Sequence, residues 1–255
     1  MQIFRLQHQG RAQYGRASNR QDVELLSDAP WLGGCPTGER VSVSDVRLLA
    51  PVAPSKIVCI GRNYAAHAKE LGQQVPDEPL LFLKPPSSLL APGASIVLPS
   101  ASRRVEHEAE IGIVLGKRLE HASAADSVRA IFGVTCVNDV TARDLQRKDV
   151  QFTRAKGFDT FCPVGPFIET QTDLANLTVT CRVNGQERQR GHVGQMIFGI
   201  GEVLAFISRV MTLEPGDLVS TGTPEGVGPL EPSDVVEIEV SGVGVLRNSV
   251  VNRTA

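Results

Sequence analysis

Two glutamates one residue apart, Glu108 and Glu110, open the apolar run Ile111-Gly112-Ile113-Val114-Leu115-Gly116. Its β-branched and aliphatic residues, closed by Gly116-Lys117, predict a buried strand over 108–115. Side chains two apart on a strand share a face, so two carboxylates are aimed at one place inside an apolar element. Ionised and unpaired they would be very costly there. Something positive must lie between them, and a hard divalent cation fits best. His107 falls on the opposite face and is not expected to ligate. Glu106 shares the face but precedes the apolar run, so it is expected to be solvated.

A third acid, Asp139, closes a second apolar stretch predicted as a strand over 133–140. Three carboxylates with no His or Cys companion favour Mg²⁺ or Mn²⁺ over zinc, with Ca²⁺ a further candidate, because hard cations prefer oxygen ligands. Alone, Asp139 before Thr141-Ala142-Arg143 would read as a helix N-cap.

The other strand signals lie at 56–60, 80–83, 95–98, 163–168, 178–183, 217–221, 235–240 and 244–248, with an Asn184-Gly185 hairpin turn leading into 186–190. Helical patterns are fewer: 65–71, 124–131, 141–148 and 201–210. Many strands, few helices and no regular βαβ rhythm predict an α+β, β-rich mixed fold. Pro51 and Pro54 punctuate the chain after short strand signals at 3–6 and 41–46. The expected division is a small N-terminal module, 1–50, and a main domain, 55–255.

With 26 Lys+Arg against 28 Asp+Glu and no apolar run of membrane-spanning length, neither a nucleic-acid nor a membrane partner is expected. Met1-Gln2-Ile3-Phe4-Arg5-Leu6 lacks a cationic stretch followed by an apolar one, so a cytoplasmic protein is expected. Five scattered cysteines without a CxxC pair are expected to be buried, reduced thiols.

Two further clusters carry chemistry. In Gly61-Arg62-Asn63-Tyr64-Ala65-Ala66-His67-Ala68-Lys69-Glu70, His67 and Glu70 are i and i+3 on a short helix, where their side chains can meet. A carboxylate beside an imidazole raises its basicity and fixes its tautomer, as a general base requires. Taken alone, a solvated His–Glu pair is the commoner case. Gly72 and Pro76 bracket the segment, which could hinge as a lid. Asp139, Arg143 and Gln146 are spaced to share one helical face, and Lys156 follows beside Gly157. Three carboxylates with one dication total −1, so an anionic substrate would need Arg143 and Lys156 nearby. The Ser220-Thr221-Gly222-Thr223-Pro224-Glu225-Gly226 loop offers hydroxyls and N–H groups suited to a carboxylate.

Together with Leu81-Phe82-Leu83-Lys84-Pro85, His107-Glu108-Ala109-Glu110, Asn138-Asp139-Val140-Thr141-Ala142-Arg143-Asp144 and Ala155-Lys156-Gly157-Phe158-Asp159, these motifs make 56–250 resemble the fumarylacetoacetate hydrolase superfamily. The resemblance implies a β-rich roll with a partly open barrel, found in homodimers. It implies a Mg²⁺ or Mn²⁺ site of Glu108, Glu110 and Asp139, and a water-activating dyad of His67 and Glu70 on a ligand-ordered lid. Lys156 would face the developing oxyanion, with Arg62, Arg143, Gln146 and Thr223 in the substrate pocket. The large eukaryotic hydrolases have a further acidic ligand seven residues before the His; Ile60 stands there here, as in the shorter bacterial branch. That branch includes acylpyruvate hydrolases, oxaloacetate decarboxylases and 2-hydroxyhepta-2,4-diene-1,7-dioate isomerases. The motifs leave 1–50 uncovered and without assigned chemistry.

The leading expectation is a Mg²⁺/Mn²⁺-dependent hydrolase that cleaves a C–C bond in small anionic 2,4-dioxo acids of acylpyruvate type, through a metal-stabilised pyruvate enolate. Oxaloacetate decarboxylation or dienoate isomerisation on the same site is the alternative. A non-catalytic, metal-stabilised binding protein is more remote, since both His67 and Glu70 are present.

Overall fold

The computed structural model describes residues 1–19 and 21–253. The fold is β-rich, with a twelve-stranded sheet, a five-stranded sheet and a three-stranded sheet. All are open, and none closes into a barrel among the described residues. No helix among them is long and apolar enough to cross a membrane.

The large sheet runs from Pro36–Ser42 through Asp22–Leu26, Arg11–Ala17 and Gln2–His8 to Cys162–Glu169. It continues through Ile131–Asn138, Ala109–Leu115, Leu218–Ser220 and Ile57–Gly61, and ends on Leu80–Lys84. The N-terminal strands therefore extend the main sheet, with Ile3 opposite Ile168. Arg11–Ala17 and Asp22–Leu26 carry no strong strand signal in their own residues. They form because each finds an antiparallel neighbour.

Ala109–Leu115 is buried along its whole length at the centre of this sheet. Its alternation separates two cores. Ala109, Ile111, Ile113 and Leu115 pack with Val179 and Ile238 of the five-stranded sheet and with the amphipathic helix Ile200–Val210. Val114 packs with Val137, Leu218 and Ile57. Gly112 lies on that second face, where a Cβ would come within 2.6 Å of Val137 Cγ2.

Two departures from the sequence reading shape the site. The strand expected over 108–115 is broken at Glu108: Val105–His107 joins the three-stranded sheet and Ala109–Leu115 the large one. The helix expected over 141–148 begins only at Arg143, because Thr141–Ala142 pairs with Val105 and Glu106. Asp139 is thus off the helix and shares no helical face with Arg143 and Gln146. Four cysteines are buried as expected, whereas Cys35 is exposed.

Candidate active site and metal centre

Glu108 sits at the junction of two sheets. Its N–H donates to Asn138 Oδ1 at 3.0 Å, and its carbonyl accepts from Asp139 N at 2.8 Å. Ala109 pairs with Asn138, which brings Asp139 beside Glu108. One carboxylate oxygen from each of Glu108, Glu110 and Asp139 lies within 4.8 Å of the others, and all three residues are buried.

Buried cations surround the trio unevenly. Lys156 Nζ donates to Glu108 Oε2 at 2.7 Å and Asp139 Oδ2 at 2.6 Å. Lys84 Nζ donates to Asp139 Oδ1 at 2.6 Å and to Val140 O at 3.2 Å. Arg143 donates to Glu108 Oε1, to Glu106 Oε2 at 2.7 Å and to Gln146 Oε1 at 2.6 Å. Among the described residues Glu110 meets only neutral donors, Ser220 Oγ at 2.5 Å and Gly222 N at 2.8 Å, both on Oε2.

The titration behaviour follows this asymmetry. Burial pushes the Glu108 carboxyl upward, but Lys156 and Arg143 outweigh it and hold the group well below the usual carboxylate range. For Glu110 burial acts first and Asp139 and Glu108 add to it, so its carboxyl is raised. A dication would reverse that penalty. Three carboxylates, one of them without a cationic partner and with Oε1 free of hydrogen bonds among the described residues, fit a hard divalent ion.

Glu106 is a correction. It is buried, not solvated, because Thr141 and Pro229 flank it in the three-stranded sheet. It bridges buried Arg143 to Arg104, whose Nε lies 2.5 Å from its Oε1. His107, as expected, turns away from the acids and meets Gln189 Oε1 at 2.9 Å.

His67 lies on the helix Ala65–Glu70, buried, with Nδ1 3.2 Å from Glu70 Oε2. The carboxylate can only accept, so Nδ1 carries the hydrogen and donates it to Glu70, which leaves the lone pair on Nε2. Gly226 N donates to Glu70 Oε1 at 3.1 Å, which anchors the pair to the 223–226 loop.

A narrow cleft brings together Arg62, His67, Glu108, Glu110, Asp139, Arg143, Gln146, Lys156 and Thr223, walled by Ile60, Leu80, Phe82 and Phe152. Glu70 stands behind His67 and does not line it. Arg62, at φ +56°, makes no ion pair among the described residues, whereas Arg143 and Lys156 are both committed to carboxylates. Lys156 also lies 5.0 Å from the centre of the Phe82 ring.

Sequence reasoning gave no role to Lys84, Asn138 or Gln189, whereas Ser220 belongs to the loop it singled out for holding a carboxylate and here donates to that of Glu110. Lys84 had a usable signal: a lysine closing an apolar strand just before Pro85-Pro86, where burial requires an acidic partner.

Residues 56–251 match the family described as Fumarylacetoacetate (FAA) hydrolase C-terminal. The chain belongs to the fumarylacetoacetate hydrolase family. Residues 1–51 match a second family, Rv2993c-like, N-terminal. Within the hydrolase family, the human mitochondrial oxaloacetate tautomerase FAHD2A is 42% identical over 82% of this chain and 70% of its own length. The Dictyostelium discoideum mitochondrial oxaloacetate decarboxylase is 45% identical over 74% of this chain and 89% of its own. The crystal structure of 2-hydroxyhepta-2,4-diene-1,7-dioate isomerase from Mycobacterium marinum superimposes with a TM-score of 0.92 at 40% identity, covering both chains completely.

Proposed function

We propose that this protein is a divalent-cation-dependent enzyme that enolises short 2-oxo dicarboxylates, with oxaloacetate-type acids as tautomerisation or decarboxylation substrates. The observation that carries the reading is the buried trio of Glu108, Glu110 and Asp139, set in one cleft with Lys156 and His67. Relatives named for tautomerising or decarboxylating oxaloacetate, and one named as a dienoate isomerase, support it: their reactions share an enol or enolate next to a carbonyl.

Glu108, Glu110 and Asp139 would hold the cation, which when bound supplies Lewis-acid stabilisation of negative charge on a substrate oxygen. Lys156 spends two N–H groups on Glu108 and Asp139 and keeps a third for that oxygen. His67 Nε2 takes a proton from the carbon beside the keto group and returns it to the oxygen in tautomerisation, while Glu70 holds the ring. In decarboxylation the bond to the departing carboxylate breaks, its electron pair enters the enolate, and the carbon is then protonated. Arg62 faces the second carboxylate of the substrate.

Hydrolysis of acylpyruvates is a second reading, favoured by the His67–Glu70 pair: a base backed by a carboxylate can also take a proton from water. The separating experiment incubates the protein with oxaloacetate and with acetylpyruvate, with Mg²⁺ or with EDTA. Enol absorbance, pyruvate and CO₂ are followed. Cation-dependent consumption of oxaloacetate is expected; acetylpyruvate cleavage alone would install the second reading, and inertness towards both would remove the two together.

A further inference from the structure

The strand Gln186–His192 contains no hydrophobic side chain, yet it buries Gln189 and Gly191. Its register with Thr178–Val183 slips between Cys181 and Arg182: Cys181 faces Gln189 while Arg182 faces Glu187, so Arg188 is the extra residue of a bulge. Arg188 and Gln189 are thereby turned to different tasks. The Arg188 carbonyl packs against Gly226, where a Cβ would come within 2.1 Å of it, and Gly191 packs against Pro224, where a Cβ would come within 2.7 Å. Between these two glycine contacts the Gln189 side chain is 2% exposed.

All four hydrogen-bonding positions of its amide are filled. Oε1 accepts from Ala109 N at 3.0 Å and from His107 Nδ1 at 2.9 Å. Nε2 donates to Thr223 Oγ1 at 2.8 Å and to the Pro224 carbonyl at 2.8 Å. The orientation is forced, since Ala109 N can only donate and Pro224 O can only accept. It also dictates that His107 carries its proton on Nδ1, with Cys181 Sγ at 3.4 Å the weaker neighbour. Thr223 Oγ1, fixed from one side by Gln189, donates on the other to Ala109 O at 2.8 Å. Ala109 is the residue between Glu108 and Glu110.

We propose that Gln189 is a positioning residue, whose amide ties the 223–226 loop to the backbone between Glu108 and Glu110 and so sets where Thr223 meets the substrate. This rests on the reading of the cleft as a 2-oxo acid site. Gln189 touches neither the cleft nor the acids; it acts through Thr223 and Ala109. No charge or apolar pattern in the sequence marks it.

The test is a pair of variants in the full chain with Mg²⁺. Gln189→Leu removes both halves of the amide. Gln189→Glu keeps the acceptors for Ala109 and His107 but loses both donors. Each is expected to raise KM for oxaloacetate about tenfold with kcat within about threefold, the mark of lost positioning of bound substrate. Added to Thr223→Val, either is expected to change KM less than about twofold, because the pathway it works through is already gone. Independently of any substrate, the ¹⁵N shifts of His107 should report an Nδ1–H tautomer in the wild type and Gln189→Glu, and lose it in Gln189→Leu. Additive losses with Thr223→Val, an unchanged KM in Gln189→Glu, or a fall in kcat alone alongside a lower Tm would overturn the proposal. A wild type inert towards oxaloacetate would sink the enolisation reading instead, and the tautomer comparison would then judge Gln189: the same His107 signature in all three proteins overturns it.

Discussion

Lys156, the last residue of the short helix Thr153–Lys156, reaches Asp139 with its Nζ 2.6 Å from Oδ2 and at the same time holds Glu108 at 2.7 Å. One ammonium therefore spans two of the three candidate ligands and leaves Glu110 to neutral donors. Burial disfavours a charged lysine, but Asp139 and Glu108 more than reverse this and raise its pKa.

Lys156→Gln is expected to lower turnover by about 10²–10³ while Mn²⁺ still binds, because the three carboxylates persist. Calorimetric titration of Mn²⁺ alongside steady-state rates checks this. Loss of binding with the rate would make Lys156 a structural counter-ion only.

Glu110 makes cation binding pH-dependent with a defined sign. Its raised pKa means that the folded, cation-free protein holds a proton there that the unfolded chain has already released. Stability of the cation-free protein should therefore fall as pH rises from the ordinary carboxylate range through the raised value. Mn²⁺ must displace that proton, so its affinity should climb over the same window, with proton release visible in buffers of different ionisation enthalpy. Glu110→Gln should abolish the release; its persistence would move the proton to another group.

Glu106 works in the opposite direction. Burial raises it, but Arg143 and Arg104 dominate and depress its pKa. Its stabilisation is present above the ordinary carboxylate range and is lost as pH falls through the depressed value. Glu106→Gln, which leaves buried Arg143 one partner short, should cost about 3 kcal/mol at neutral pH and flatten the acid limb of a Tm–pH curve. An unaltered Tm at neutral pH would show that Arg143 is fully served by Glu108 and Gln146.

Arg62 has no carboxylate partner among the described residues that line the cleft with it. Arg62→Gln is expected to raise KM about tenfold for oxaloacetate, a dicarboxylate, and far less for acetylpyruvate, a monocarboxylate, since a charge-assisted hydrogen bond is lost only with the former. Equal effects on both would place Arg62 on the carboxylate that the two substrates share.

Much of the site was legible because it is written in local periods. The alternation Glu108-Ala109-Glu110 places two acids on one face wherever the strand lies, and the three-residue step from His67 to Glu70 makes a pair on any short helix. Most strands came out within a residue or two for the same reason, and the Asn184-Gly185 turn sits where its backbone preference puts it, both residues at positive φ.

What covers a residue is another matter. Glu106 looked solvated because its local surroundings are polar; a strand from 228–229 and another from 141–142 bury it. Asp139 looked helical because of its spacing to Arg143, until Thr141 and Ala142 gave their backbone to Val105 and Glu106. Lys84 and Gln189 come from segments 55 and 80 residues away from the groups they hold. The chain's own letters determined which side chains share a face, because that depends only on helical and strand geometry. Only the folded sheets decided which faces meet, because register between distant strands is set by the packing of the whole core.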